Sequence, residues 1–161
     1  MAAPPIVVKI GGSTLGSHDT TLKDLVTLQN QGVDVVVVHG GGNVISQWMQ
    51  RQGIPPRFVN GLRVTDEASL EIVVAVLTGL INKELVAQMH VLGGRAIGIS
   101  GIDGGLLEAR VADPELGYVG EIASVNSGAI KALLNGGYMP MIAPLARQCQ
   151  DDSDHSGGPL N

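Results

Sequence analysis

The chain predicts an α/β fold, a mainly parallel central sheet with helices on both faces (an αβα sandwich). Three observations carry this. Short runs rich in β-branched and aliphatic residues, at 6–10, 33–38, 95–100 and 139–143, alternate with stretches whose apolar residues recur at three- and four-residue steps. Several of those runs hand over directly to glycine, at Gly11-Gly12, Gly40-Gly41-Gly42 and Gly101, where turns belong. Hydrophobic residues make up 44% of the 161 positions but aromatics only 2%, so the core is built from Val, Ile, Leu and Ala.

The elements follow in order. Residues 6–10 read as a buried strand ending at Gly11-Gly12. Lys9 stands inside it, and an ammonium in a buried strand calls for a function, because burying that charge unpaired is costly. A helix over 19–31 turns Leu22, Leu25, Val26 and Leu28 inward and stops at Gly32. Residues 33–38, with five valines in six positions, are the clearest strand. The next helix begins near Asn43, turns Val44, Ile45, Trp48 and Met49 inward and ends before Gly53. Phe58-Val59, Asn60-Gly61 and Leu62-Arg63-Val64 make a hairpin pattern.

The longest helix is expected over 66–91, its core side marked by Leu70, Val73, Val74, Leu77, Ile81 and Leu85. Residues 104–125 read as short strands and turns. Asn126 or Ser127 caps a helix over 128–135, closed by Gly136-Gly137. The last strand is 139–143, and the polar residues 148–159 read as a loop or an exposed hairpin. There is no internal repeat, and the length is that of one domain.

Charge and composition exclude several functions. The net charge is −5 and the 10 basic residues are scattered without a stripe, which argues against nucleic acid. The single cysteine, Cys149, has no intrachain partner and is expected to be inert. Neither a signal-peptide pattern nor a membrane-length apolar run is present. Together these give the expectation of a cytoplasmic chain with neither nucleic acid nor membrane as partner.

The two glycine loops carry the chemistry. In such sheets ligands sit beyond the carboxyl ends of the strands. Glycines let the backbone approach a phosphate and aim successive N–H groups at it. The helix start near Asn43 adds unpaired donors and the positive end of a dipole. The sequence lacks both the Walker A spacing and, in the first loop, the dinucleotide fingerprint Gly-x-Gly-x-x-Gly. Lys9 is placed to put a point charge on a transferring phosphoryl group. His39, closing a valine run, reads as a hydrogen-bonded supporting residue rather than a general base. Asp103 is an ordinary turn residue, and Arg63 on its own reads as a solvated hairpin residue.

Taken in order, six segments resemble the amino acid kinase family, in the branch that phosphorylates N-acetyl-L-glutamate. They are Val-Val-Lys-Ile-Gly-Gly at 7–12, Val-Val-His-Gly-Gly-Gly at 37–42, Asn-Gly-Leu-Arg-Val-Thr-Asp at 60–66, Asn-Lys-Glu-Leu-Val-Ala at 82–87, Gly-Ile-Ser-Gly-Ile-Asp-Gly-Gly at 98–105 and Gly-Tyr-Met-Pro-Met-Ile-Ala-Pro at 137–144. The resemblance implies transfer of the ATP γ-phosphoryl group, with Mg2+ carried by the nucleotide, to the acceptor's side-chain carboxylate, a step of arginine biosynthesis. It implies that Lys9 is catalytic, that Gly11 and Gly12 lie against the ATP phosphates, and that Gly41, Gly42 and Arg63 bind the acyl substrate. A carboxylate acceptor is already ionised and needs no base, which agrees with the reading of His39.

Gly158-Pro159-Leu160-Asn161 resembles the start of the family's Asn-x-Asn-Ala-Asp segment, so Asn161 is a further expected substrate contact. By the same resemblance residues 1–161 form the N-terminal acetylglutamate-binding domain, and the C-terminal ATP-binding domain lies outside this chain. Alone the chain is then expected to be inactive. With none of the family's extra N-terminal helix before Ile6, a homodimer through the helix of 66–91 is expected. Two alternatives stay open: a non-catalytic acyl-amino-acid-binding regulatory module, and a kinase relative acting on aminoadipate or a carrier protein.

Overall fold

The computed structural model describes residues 3–11, 20–149 and 158–161. The first half of the chain contains β1 (Ile6–Ile10), α1 (Thr21–Asn30), β2 (Val35–His39), α2 (Gly42–Arg51), the hairpin β3 (Arg57–Val59) and β4 (Leu62–Val64), and α3 (Glu67–Val74). A π-helical stretch, Ala75–Ile81, joins α3 to α4 (Asn82–Val91). Then come β5 (Ala96–Ser100), β6 (Leu107–Val111), β7 (Gly120–Val125), α5 (Gly128–Asn135), β8 (Met139–Ala143), β9 (Ala146–Gln148) and β10 (Pro159–Leu160).

The central sheet has the order β1-β2-β8-β5, and every pairing in it is parallel. Strand alternation divides its side chains between two cores. Val35, Val37, Met139 and Met141 pack against α1, α2 and the long helix, while Val36 and Ile142 pack with Leu106 and with Ile130 and Leu134 of α5. Helices therefore cover both faces, as predicted, but unequally. The larger core is close-packed: Val37, Val73, Met89 and Met141 are fully enclosed. Truncating such a side chain costs on the order of 2–5 kcal/mol.

Two expectations are corrected. β1 is not a buried strand. It lies at the edge of the sheet, with Ile10 buried but Ile6 45% and Val7 67% exposed. The other side of β2 is taken by β8, and α5 packs over those two strands, so nothing among the described residues covers β1 from its open side. Lys9 is consequently exposed, and the inference from a buried charge to a function no longer holds for it. The long helix is also not uniformly α-helical. It begins at the Asp66 cap, whose carboxylate accepts the Ser69 N–H at 2.9 Å, and its central third is π-helical. Thr78 there donates its hydroxyl to the Val74 carbonyl at 2.8 Å. A π turn shifts the register of everything after it, and it sets which side chains of α4 meet the sheet.

The segment read as short strands and turns forms a second sheet, in the order β10-β9-β6-β7. Ala109, Ala146 and Leu160 are its buried centre. An Arg147–Glu108 ion pair lies over it, with Ser124 also donating to Glu108. These bonds, Ser124's first, hold the Glu108 carboxyl below its ordinary range. The polar 148–159 stretch is partly ordered into this sheet, its residues 150–157 lying outside the described ones.

Candidate active site

Because β1 and β2 are parallel neighbours, their carboxyl ends release two loops side by side. Ile10 pairs with His39, and the Gly40 N–H donates to the Ile10 carbonyl at 2.9 Å, extending the ladder into the second loop. Gly11 and Gly40–Gly42 are thereby brought together, while Gly12 lies outside the described residues. Gly41 is the cap of α2, which starts at Gly42. The first N–H groups of a ten-residue helix have no partner within it and point outward with the dipole.

The two glycines sit in different surroundings. A Cβ on Gly41 would run into the tip of the Ile81 side chain and come within 3.0 Å of Leu77, so a side chain there would have to displace those two from the long helix. A Cβ on Gly42 would meet nothing within 4 Å, so the space beside it is open.

Arg63 reaches this loop from the hairpin. The turn has Asn60 at φ 49° and Gly61 at φ 82°, the left-handed pair that a tight two-residue hairpin demands. Phe58 and Arg63 are opposite each other in the register, and the guanidinium lies 4.8 Å from the Phe58 ring centre. Nη2 donates to the Gly42 carbonyl at 3.0 Å and to the Ser46 hydroxyl at 2.9 Å, and Nη1 to the Met49 sulfur at 3.1 Å. Arg63 is therefore not the solvated residue that hairpins usually carry. Partial burial lowers its pKa, though not its charge at neutral pH. Nε–H and one Nη1 hydrogen have no acceptor among the described residues; they lie on different edges of the guanidinium, so each offers a single charged donor to an anion.

Asn161 is tied to the same region by backbone bonds. Its N–H donates to the Tyr118 carbonyl at 3.1 Å, and Tyr118 donates to the Thr65 carbonyl at 2.8 Å. Thr65 stands two residues after Arg63 and is fully buried. Its Oγ1 and the Asn161 Oδ1 are buried without a hydrogen-bond partner among the described residues. Such atoms cost about 1–3 kcal/mol each when left unmade, so this seam is suited to a further polar group. Thr65 was not singled out from the sequence, although its i+2 spacing from Arg63 was available as a signal.

Behind the loop, His39 is 1% exposed and its Nε2 lies 3.0 Å from the Asn82 Nδ2. It is enclosed and hydrogen-bonded, as a supporting residue should be. Burial pushes its pKa down, the bond to Gly40 opposing and the Lys83 charge adding to that. Asp103 accepts from the Ser100 N–H at 2.6 Å and from its hydroxyl at 2.8 Å, a turn-closing role. Among the described residues no three His, Cys, Asp or Glu side chains converge.

The amino acid kinase family profile matches residues 4–158. An acetylglutamate kinase of Dehalococcoides mccartyi (strain ATCC BAA-2266 / KCTC 15142 / 195) is 45% identical over 141 residues, covering 88% of this chain and 52% of that one. An acetylglutamate kinase of Thermoanaerobacter sp. (strain X514) is 48% identical over 144 residues, covering 86% and 48%. The chain thus spans about half the length of the curated relatives it matches. A crystal structure of a Streptococcus mutans UA159 protein superposes with a TM-score of 0.84 at 28% identity, covering 97% of this chain and 62% of that one. With the parallel sheet, the paired glycine loops and a profile match over nearly its whole length, the chain belongs to the amino acid kinase family.

Proposed function

We propose that this chain supplies the acyl-amino-acid half of an acetylglutamate kinase. The reaction is transfer of the ATP γ-phosphoryl group to the side-chain carboxylate of N-acetyl-L-glutamate, in arginine biosynthesis in the cytoplasm. One observation carries the reading: Arg63 is fixed against Gly42 and Ser46 with two charged donors still free among the described residues, beside N–H groups at the start of α2 that have no acceptor among those residues. That is an anion site with two separated contact points, and an acylated dicarboxylic amino acid has anionic and carbonyl groups to fill them.

In this reading Arg63 grips a carboxylate of the acceptor, the Gly41 and Gly42 amides hold its acyl end, and Asn161 adds a contact from the second sheet. Gly11 and Gly12 face the nucleotide phosphates. Lys9, exposed near the carboxyl end of β1, supplies positive charge to the moving phosphoryl group. Such catalysis needs positioning and charge neutralisation and no base from the protein. Magnesium arrives with the nucleotide, its oxygen ligands drawn from the phosphates. The remaining ATP contacts belong to a C-terminal domain outside residues 1–161, and the whole enzyme is a homodimer through the helix of 66–91. Calorimetric titration of the 161-residue chain tests the acceptor assignment. N-acetyl-L-glutamate is expected to bind and L-glutamate to bind at least about tenfold more weakly, since the acyl contacts are lost. Equal binding of the two, or none, would overturn the assignment.

A further inference from the structure

The hydrogen bonds around His39 fix where its proton resides. Lys83 donates from Nζ to the Asn82 Oδ1 at 3.0 Å and to the Gly98 carbonyl at 3.0 Å. The other end of the Asn82 amide donates to the Met141 carbonyl at 2.9 Å, with the Ile99 carbonyl farther off at 3.5 Å. An ammonium can only donate and a carbonyl can only accept, so two independent partners set the orientation of this amide. Nδ2 then faces His39, and a donor there requires Nε2 to be the acceptor. The imidazole proton is left on Nδ1, 3.3 Å from the Gly40 carbonyl.

The direction of that carbonyl matters for the loop. In a trans peptide the C=O of Gly40 and the N–H of Gly41 point in opposite directions. With the Gly40 N–H held by Ile10 and its carbonyl held by the ring, the Gly41 N–H is turned away from His39. Neither it nor the Gly42 N–H has an acceptor among the described residues.

We propose that His39 is a positioning residue: a neutral imidazole, with its proton on Nδ1, that holds the Gly40 carbonyl and so aims the Gly41 N–H at the bound acyl group, while Asn82 and Lys83 lock the tautomer. This rests on the assignment of Gly41-Gly42 to the acyl substrate. The groups facing the ring are Ile10 from β1, the Gly40 carbonyl, and Asn82 and Lys83 from α4. Lys83 is the charge acting on the ring among the described residues. Protonating Nε2 would set N–H against N–H beside that ammonium, in a site burial already makes hostile to charge.

Long-range 1H–15N NMR of the 15N-labelled, ligand-free chain reads the tautomer directly. The expected result is protonated Nδ1 and bare Nε2, unchanged from about pH 8 to about pH 5.5, where an ordinary histidine becomes charged. An Nε2–H tautomer, or an imidazolium near pH 6.5, overturns the proposal. Two variants test the consequence: His39→Asn puts a donor where Nδ1 is, and His39→Gln reaches only the Nε2 position. His39→Asn is expected to keep the Gly41 amide shift and to hold N-acetyl-L-glutamate affinity within about threefold, whereas His39→Gln moves the shift and loses about tenfold. Equal behaviour of the two variants overturns the positioning role, and if neither folds the wild-type tautomer still decides. If the wild-type chain binds no N-acetyl-L-glutamate while the tautomer and the Gly41 shift behave as expected, the positioning geometry stands and the substrate assignment is what fails.

Discussion

Arg63 is held in place before any ligand arrives, since three of its N–H groups are already engaged by α2. Preorganisation of this kind lowers the entropy lost on binding. Arg63→Lys keeps the charge but loses the fork. It is expected to weaken N-acetyl-L-glutamate binding by at least about tenfold in a calorimetric titration. The glycines give a sharper contrast. Gly42→Ala has room for its methyl and should leave the unfolding free energy from a urea titration within about 0.5 kcal/mol of wild type while obstructing the ligand. Gly98→Ala would drive a Cβ into the Asn82 amide and is expected to cost about 2–4 kcal/mol in the same unfolding experiment. It should also release His39 from its single tautomer. His39 itself makes stability pH-dependent. Its folded pKa is lowered, so its contribution is complete above the ordinary value near 6.5 and is lost as pH falls from there toward the folded pKa.

At the scale of elements, the start of the long helix is a testable unit. Asp66 caps it, and hydrogen bonds from Ser69, side chain first and backbone second, hold its carboxyl below the ordinary range. Asp66→Ala should destabilise the chain by about 1 kcal/mol at neutral pH. A carboxyl with a lowered folded pKa stabilises above its unfolded value near 3.8 and ceases to do so as pH falls through the folded one. The gap between wild type and variant in urea unfolding should therefore narrow as pH falls below the ordinary value near 3.8. Elements whose signals are local were legible in the sequence. The valine run of β2, the glycine-bounded α5 and the Asn60-Gly61 turn each carry their own signature within a few residues. The position of β1 was not legible, because its valines look the same in the centre of a sheet and at its edge. Only the pairing of β2 with β8, a hundred residues apart in the chain, settles which it is. Asn82 was missed for the same reason, since it meets His39 across 43 positions and after a π-helical shift that apolar spacing does not announce.

For the molecule as a whole, the sequence indicated the central sheet and the glycine turns after its strands but not the second sheet, whose strands are short and whose pairings join residues far apart. The chain spans about half of its curated relatives, and no acyl phosphate is expected from it with ATP and magnesium in a hydroxylamine trapping assay. Turnover above the enzyme-free rate would refute the assignment of the remaining ATP contacts to a separate domain. The exposed flank of β1 has a consequence of its own for handling this chain. A strand whose outer N–H and C=O groups have no strand partner among the described residues, with Val7 outward, is a template on which another strand can grow. Purified chain should therefore tend to associate edge to edge as concentration rises, with Lys9 as its main electrostatic brake. A second lysine at Val7 should keep it dispersed without disturbing the buried core.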